Sequence, residues 1–195
     1  MSGTNANVAR GLVPYAFSWG EPYNGAVTVV YIPSSDTNAI YVGDPVVYTQ
    51  STADANGVPG VTIGQAGAHA ISGVMVGVAN NAGELVLPVL QSTAVYRPAS
   101  TAQYLYMACD PNLLYWIQED SSGGSMANTS GGGQLANLVA GAGSTYTGFS
   151  GWQLQSSSLG SGAQLAVMQA LQQVDNYIGN QAKWLVRVVD RLPTF

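Results

Sequence analysis

The sequence predicts a mainly β protein: a small bent sheet or barrel carrying a Gly/Ser-rich insertion and an extended N-terminal arm. Three observations carry that expectation. Between Ala39 and Val78 the apolar residues recur with a period of two, which places alternate side chains on opposite faces of a strand. Glycines interrupt the same run, and inside a strand pattern glycine marks a bulge or the close approach of another backbone. Composition then shifts along the chain: residues 1–25 are dense in Pro and Gly, and no charged residue occurs from Ser121 to Val174. These shifts divide the chain into an arm (1–25) and a β-rich domain (26–195), with the insertion at about 121–162.

In the arm, Pro14, Gly20, Pro22 and Gly25 come too often for a helix and are expected to keep the segment out of regular structure. Its Tyr15, Phe17, Trp19 and Tyr23, together with Arg10, are a large aromatic and cationic load for a loop. Two readings stand. The rings cap the core of their own chain, or they dock into a neighbouring one, where aromatics and Arg dominate interface energy. Ala26–Ile32 is a strand closed by the turn Pro33-Ser34-Ser35-Asp36. Ile40, Val42, Val46 and Tyr48 alternate about the turn Gly43-Asp44-Pro45. Pro45 belongs at that turn or at the first position of the next strand, because it cannot donate to a ladder. After a polar connection, Ile71–Val78 is a strand with Val74, Val76 and Val78 on one face.

Leu85–Leu90 is a short strand that Pro88 confines to an edge or a bulge. Gln103–Cys109 and Leu113–Gln118 flank Asp110-Pro111-Asn112 and predict a hairpin. The stretch 121–162 alternates Gly/Ser-rich pieces with Leu135, Leu138, Val139, Tyr146, Phe149, Trp152 and Leu154. So many large apolar residues predict an ordered insertion held partly by a partner. Residues 163–174 fit both helical and strand spacing, and the strand is favoured because no helix cap precedes them. Residues 182–189 form a strand with Trp184, Val186 and Val188 on one face, and the chain closes on a short tail, 190–195.

Charge bounds the function. Only 8% of the 195 residues are charged, against roughly 25% in soluble domains. Solubility therefore rests on Ser, Thr, Asn, Gln and Gly, and much of the surface is expected to be covered by partners. A net charge of −5 with five Lys+Arg argues against nucleic acid, whose phosphates need many cations. The single Cys109 excludes an internal disulfide and a cysteine zinc site. No apolar run reaches the ~18 residues of a membrane span, and the first residues lack a signal core. The chain is expected to be made in the cytoplasm and to act elsewhere only if an assembly carries it.

No active site is legible. His69 is the sole histidine and reads as a structural or surface group. Gly148-Phe149-Ser150-Gly151 has the wrong spacing for a nucleophile elbow, and no Gly-Lys-Ser/Thr exists for a P-loop. Gly141-Ala142-Gly143 meets Tyr146 where a dinucleotide fingerprint has glycine. Glu119 and Asp120 fall on opposite faces of a strand, and Asp54-Ala55-Asn56-Gly57 lacks the downstream glutamate of a calcium loop. Asn128-Thr129-Ser130 matches a glycosylation sequon without a secretory signal. The expectation is no catalytic residue, no cofactor and no metal.

Several strings in order along the chain carry a resemblance. They are residues 9–14 (ARGLVP), 22–25 (PYNG), 31–36 (YIPSSD), 41–46 (YVGDPV), 71–77, Asp110-Pro111-Asn112 with Gln118-Glu119-Asp120, and 182–187 (AKWLVR). Together they resemble the capsid decoration (cement) and head structural proteins of tailed bacteriophages; residues 121–174 contribute little. The resemblance implies a β-rich protein that binds the major capsid protein on the outside of the assembled shell, often as a homotrimer, and that binds rather than catalyses. It would be assembled in the host cytoplasm and reside on the virion surface. Two other classes compete: a head fibre or adhesin base displaying the insertion to host glycans, and a virion-borne glycan hydrolase. The hydrolase requires two carboxylates facing each other across about 5–9.5 Å.

Overall fold

Val30 and Ile32 project inward from a strand whose neighbours bring Val46, Val61, Met75, Val78, Leu105 and Met107 to the same place, and all of them are buried together. The computed structural model, which describes residues 4–67, 69–79 and 95–190, builds this core as a closed five-stranded barrel. Its strands are β2 (Thr28–Ile32), β4 (Pro45–Ala53), β5 (Pro59–Ile63), β6 (Gly73–Ala79) and β8 (Gln103–Ala108), joined in the order β2-β5-β4-β6-β8. Closure is completed by the one parallel pairing, Tyr31 against Gly60, and by five antiparallel pairs between β2 and β8.

A second sheet has the order β1-β9-β13-β12-β10-β11. Its members are β1 (Val13–Phe17), β9 (Leu113–Gln118), β10 (Gln134–Val139), β11 (Gln153–Gln155), β12 (Leu165–Ala170) and β13 (Lys183–Val188). It curls until β11 meets the chain just past β9, where the Asp120 N–H donates to the Leu154 carbonyl at 2.9 Å. Inside the curl, Leu12, Phe17, Tyr115, Ile117, Leu138, Trp152, Leu154, Leu165, Trp184 and Val186 form the larger core. Each such side chain contributes roughly 1.5–3 kcal/mol by leaving water. A short ladder of β3 (Ile40–Tyr41) with β7 (Tyr96–Arg97) completes the fold.

The mainly β architecture agrees with the expectation. Pro45 does open its strand, and residues 165–170 are strand. The insertion is not an appendage: β10 and β11 supply two of the six strands of the second sheet. Leu85–Leu90 and the tail beyond Asp190 lie outside the described residues.

Four expectations are revised. The Asp110 turn forms, with Leu113 N–H donating to the Asp110 carbonyl at 3.2 Å, but it makes no hairpin. Strand β8 enters the barrel and β9 the second sheet, where each is paired along both edges, β8 by β2 and β6 and β9 by β1 and β13. Val74, Val76 and Val78 do not share a face. A bulge between Met75 and Gly77 shifts the register, so Met75 and Val78 enter the barrel core while Val74 and Val76 pack on the other. The polar connection 49–70 contains β5, which Asn56-Gly57 followed by Val58, Val61 and Ile63 already signalled. Finally, the arm is not free of regular structure, since Val13–Phe17 pairs antiparallel with β9.

The two sheets and the arm meet at residues 42–44. The Leu12 N–H donates to the Gly43 carbonyl (2.9 Å), the Gly43 N–H to Met75 (2.8 Å), and the Met75 N–H to Asp44 (2.9 Å). Val42 exchanges bonds with Gly148 and Ser150, each 2.9 Å. Gly11 and Gly43 cross at this point with φ of +67° and +99°, and a Cβ on either would overlap the backbone of the other segment. Asp44 is buried beside the crossing. One carboxylate oxygen accepts the Tyr41 N–H at 2.8 Å and the other has no hydrogen-bond partner. Burial pushes its pKa up to about 6, against the smaller downward pull of the Ser150 hydroxyl and the Tyr41 N–H.

Two outcomes follow for stability. Gly43→Ala combines a backbone clash with φ strain, so it should destabilise by about 3 kcal/mol or more, whereas Gly57→Ala, at φ +81° in open space, should lose only about 1 kcal/mol. Denaturant titration of both variants measures the difference. For Asp44, the folded carboxyl holds its proton up to about pH 6 while the unfolded one releases it near 3.8. The folded state therefore binds the extra proton between those values, and this group's contribution to stability falls as pH rises through the window. Above it the ionised carboxylate costs on the order of 3 kcal/mol. Asp44→Asn should flatten the pH dependence of stability between pH 4 and 6, as read by denaturant midpoints across that range.

Candidate interaction surface

Residues 5–25 run from the outer face of the second sheet to its edge. Asn5 is fastened first: its amide donates to the carbonyls of Tyr177 (2.7 Å) and Asn180 (2.9 Å) and accepts the Tyr177 N–H (2.9 Å). Buried Gln118 then grips both sides of the segment, donating to the Ala6 carbonyl at 2.8 Å and accepting the Val8 N–H at 2.9 Å. Beyond the Gly11–Gly43 crossing, the chain becomes β1. The ladder to β9 shifts register between Pro14 and Ala16, and this bulge, beside a residue with no N–H, leaves the Tyr15 ring directed outward. The outer edge of β1 is covered by the chain's own return, with the Phe17 N–H donating to Glu21 (2.7 Å) and the Tyr23 N–H to Tyr15 (3.0 Å).

The five arm residues singled out from the sequence separate into two groups. Phe17 is buried in the second core and Tyr23 packs half-buried against it. Burial, with a lesser contribution from Cys109, pushes the Tyr23 phenol up to about 12. Tyr15 (45% exposed), Trp19 (60% exposed) and Arg10 face solvent. Trp19 nevertheless has a defined orientation. Its ring stacks on Phe17 with centroids 4.9 Å apart and an interplanar angle of 3°, and its Nε1–H donates to Glu21 Oε2 at 3.2 Å. The Arg10 guanidinium lies 4.8 Å from the centre of the Phe149 ring.

Between arm and barrel lies a half-open cavity of about 380 Å³. Leu12, Pro14, Tyr23, Val76 and Phe149 make its walls apolar, and Arg10 stands at it as the one charged group. Val76 reaches the wall because of the bulge in β6, and Phe149 arrives on the 148–150 segment bonded to Val42. The sequence marks Val76 only as a strand residue and Phe149 only as part of the apolar load of the insertion, not as neighbours of Arg10. Glycine-flanked Val76 was a legible bulge signal, but nothing local linked Phe149 to Arg10, 139 positions earlier.

The charged groups elsewhere have local employment. Asp54 closes a turn by accepting the Asn56 (2.9 Å) and Val58 (2.7 Å) N–H groups and the Tyr104 hydroxyl (2.5 Å). Asp120 accepts from the backbone N–H groups of Ser122 and Ser156. Glu119, buried, accepts the Met126 N–H at 3.1 Å, and burial raises its pKa. Arg97 is fully buried, donating to the carbonyls of Pro33, Asp36, Asn38 and Thr101 with the Asp36 carboxylate 3.6 Å away. Among the described residues no cluster of three or more His, Cys, Asp or Glu side chains is placed to hold a metal ion, and no helix is long and apolar enough to cross a membrane.

No protein family, curated protein or solved structure matches this chain.

The division of the arm sets an expectation for its variants. Phe17→Ala should destabilise the fold by about 3–5 kcal/mol, as a buried ring removed from a packed core does. Trp19→Ala, losing one exposed stack, should stay within about 1 kcal/mol of the parent. Equilibrium unfolding in urea distinguishes them.

Proposed function

We propose that this chain is a structural protein of a tailed-phage head, one that binds the outer surface of the major capsid shell and stabilises it. The observation that carries the proposal is the solvent-facing part of the arm: Tyr15, Trp19, Val8 and Arg10 are exposed, and Arg10 stands at an apolar cavity. Aromatic anchors and Arg on a surface otherwise poor in charge are the composition of an interface centre. The resemblance of the short strings to phage decoration proteins supplies the partner, and a homo-oligomer, with a trimer favoured, accords with so weakly charged a surface. The part of the arm that is woven into its own sheet explains how an anchor is held rigid before it meets its partner.

A second reading has one observation in its favour. Tyr146, in the loop between β10 and β11, is 93% exposed, and a bare ring on a Gly/Ser-rich excursion is the kind of platform on which a sugar stacks. In that reading the protein is a head fibre or adhesin base directed at host glycans.

Co-sedimentation with undecorated phage heads tests the first reading. Saturable binding is expected. Between about 50 and 500 mM salt it should weaken no more than about threefold, because few cations are available for long-range attraction. Tyr15→Ala should reduce occupancy about tenfold or more. Absence of saturable binding to heads rejects the decoration reading. If heads lacking the protein are robust but adsorb poorly to cells, and Tyr146→Ala reproduces that defect, the adhesin reading replaces it.

A further inference from the structure

The apolar cavity beside Arg10 and the Trp19 turn are complementary to one another, and one chain cannot satisfy both. The cavity offers about 380 Å³ walled by Leu12, Pro14, Tyr23, Val76 and Phe149. At it stands a guanidinium spread over Phe149, and among the described residues no carboxylate lies within ion-pair distance of Arg10. The pocket therefore calls for a large apolar group that carries a carboxylate beside it.

That combination is present on the chain's own surface. Trp19 is exposed, and Glu21, also exposed, holds the indole N–H. The turn between them is closed by two backbone bonds, Phe17 N–H to the Glu21 carbonyl at 2.7 Å and Gly20 N–H to the Phe17 carbonyl at 2.9 Å. Stacking on Phe17 fixes the ring further, so little conformational freedom remains to be lost on docking. The indole donor is already satisfied, so the ring enters an apolar pocket without stranding a polar atom. Trp19 does not line the pocket of its own chain, where Tyr23 occupies the near wall.

We propose that the Arg10 pocket is filled by the Trp19–Glu21 turn of a second copy of this chain, with the incoming indole against Pro14, Val76 and Phe149 and the Glu21 carboxylate on Arg10. Turn and pocket adjoin through Tyr23, which lines the cavity and lies 6.5 Å, centre to centre, from the Phe17 ring that supports Trp19. Two copies about a two-fold axis make the contact twice, and a closed ring makes it once per copy. The contact deepens the interface reading given above by assigning this part of the arm to self-association, leaving Tyr15 for the shell.

Sedimentation equilibrium of the full chain, without phage heads, tests it. A discrete oligomer is expected within about 1–100 µM, with Trp19→Ala, Glu21→Arg and Arg10→Glu each weakening association at least about tenfold. The charge-reversed pair Arg10→Glu with Glu21→Arg should recover most of the loss, as coupled partners do and unrelated surface residues do not. A monomer throughout that range, single variants that associate like the parent, or a reversed pair no better than its singles each overturn the proposal. Thermal melts accompany every variant. Should Arg10→Glu fail to fold, Trp19→Ala and Glu21→Arg, both on exposed side chains, decide by themselves, and unchanged association in either refutes the contact. Because no shell is present, failure to decorate heads and failure to self-associate are separate results.

Discussion

The fold depends on one backbone crossing. Gly11 and Gly43 pass each other so closely that neither has room for a Cβ, and both hold positive φ that other residues adopt only under strain. Through that contact residues 42–44 bond the arm, the barrel strand β6 and the 148–150 segment. The two cores already share strands β6 and β8, whose neighbouring residues Val74 and Met75, and Met107 and Ala108, enter different cores; the crossing ties the arm to both, and the cavity beside Arg10 lies where they meet. Its walls come from all three segments.

Buried polar side chains do the remaining joinery. Gln118 spans the N-terminal segment and the Gln181 carbonyl, and Gln164 donates to the carbonyls of Gln65 and His69 while accepting the Leu138 N–H. Arg97 gathers the carbonyls of the 33–38 loop and the turn that follows β7. Each replaces water for backbone groups that loops leave unpaired, which a chain with few regular connections needs more than most. Scarce charge is thus partly spent inside, and the outside is left to neutral polar groups and a few rings.

The arm links architecture to function. Leu12 and Phe17 belong to the fold, and their burial makes the exposed Tyr15 and Trp19 stiff instead of free. The two readings of the aromatic load are therefore not exclusive. The bulge between Pro14 and Ala16 breaks the two-residue period, so Tyr15 turns to solvent although regular alternation would put it on the buried face with Phe17, and Trp19 lies in the turn beyond the strand.

What the sequence determined by itself was local and periodic. The β class, strands within 26–32, 71–78 and 182–189, the alternation on either side of Gly43-Asp44-Pro45 and the turn itself all follow from alternation and turn chemistry within a few residues. So does the expectation that glycines in this region meet another backbone, although not which backbone. The aromatic composition of the arm was equally plain. Pairing was decided only in the tertiary structure. Strands β8 and β9 flank a proper turn yet part into different sheets, since other strands pair each of them along both edges. The sorting of Phe17 inward and Trp19 outward, and the meeting of Arg10 with Phe149 and Val76, likewise rest on contacts far apart in sequence. Period and propensity specify which face of a strand is apolar, but the partner that covers that face is selected by the packing of the whole chain.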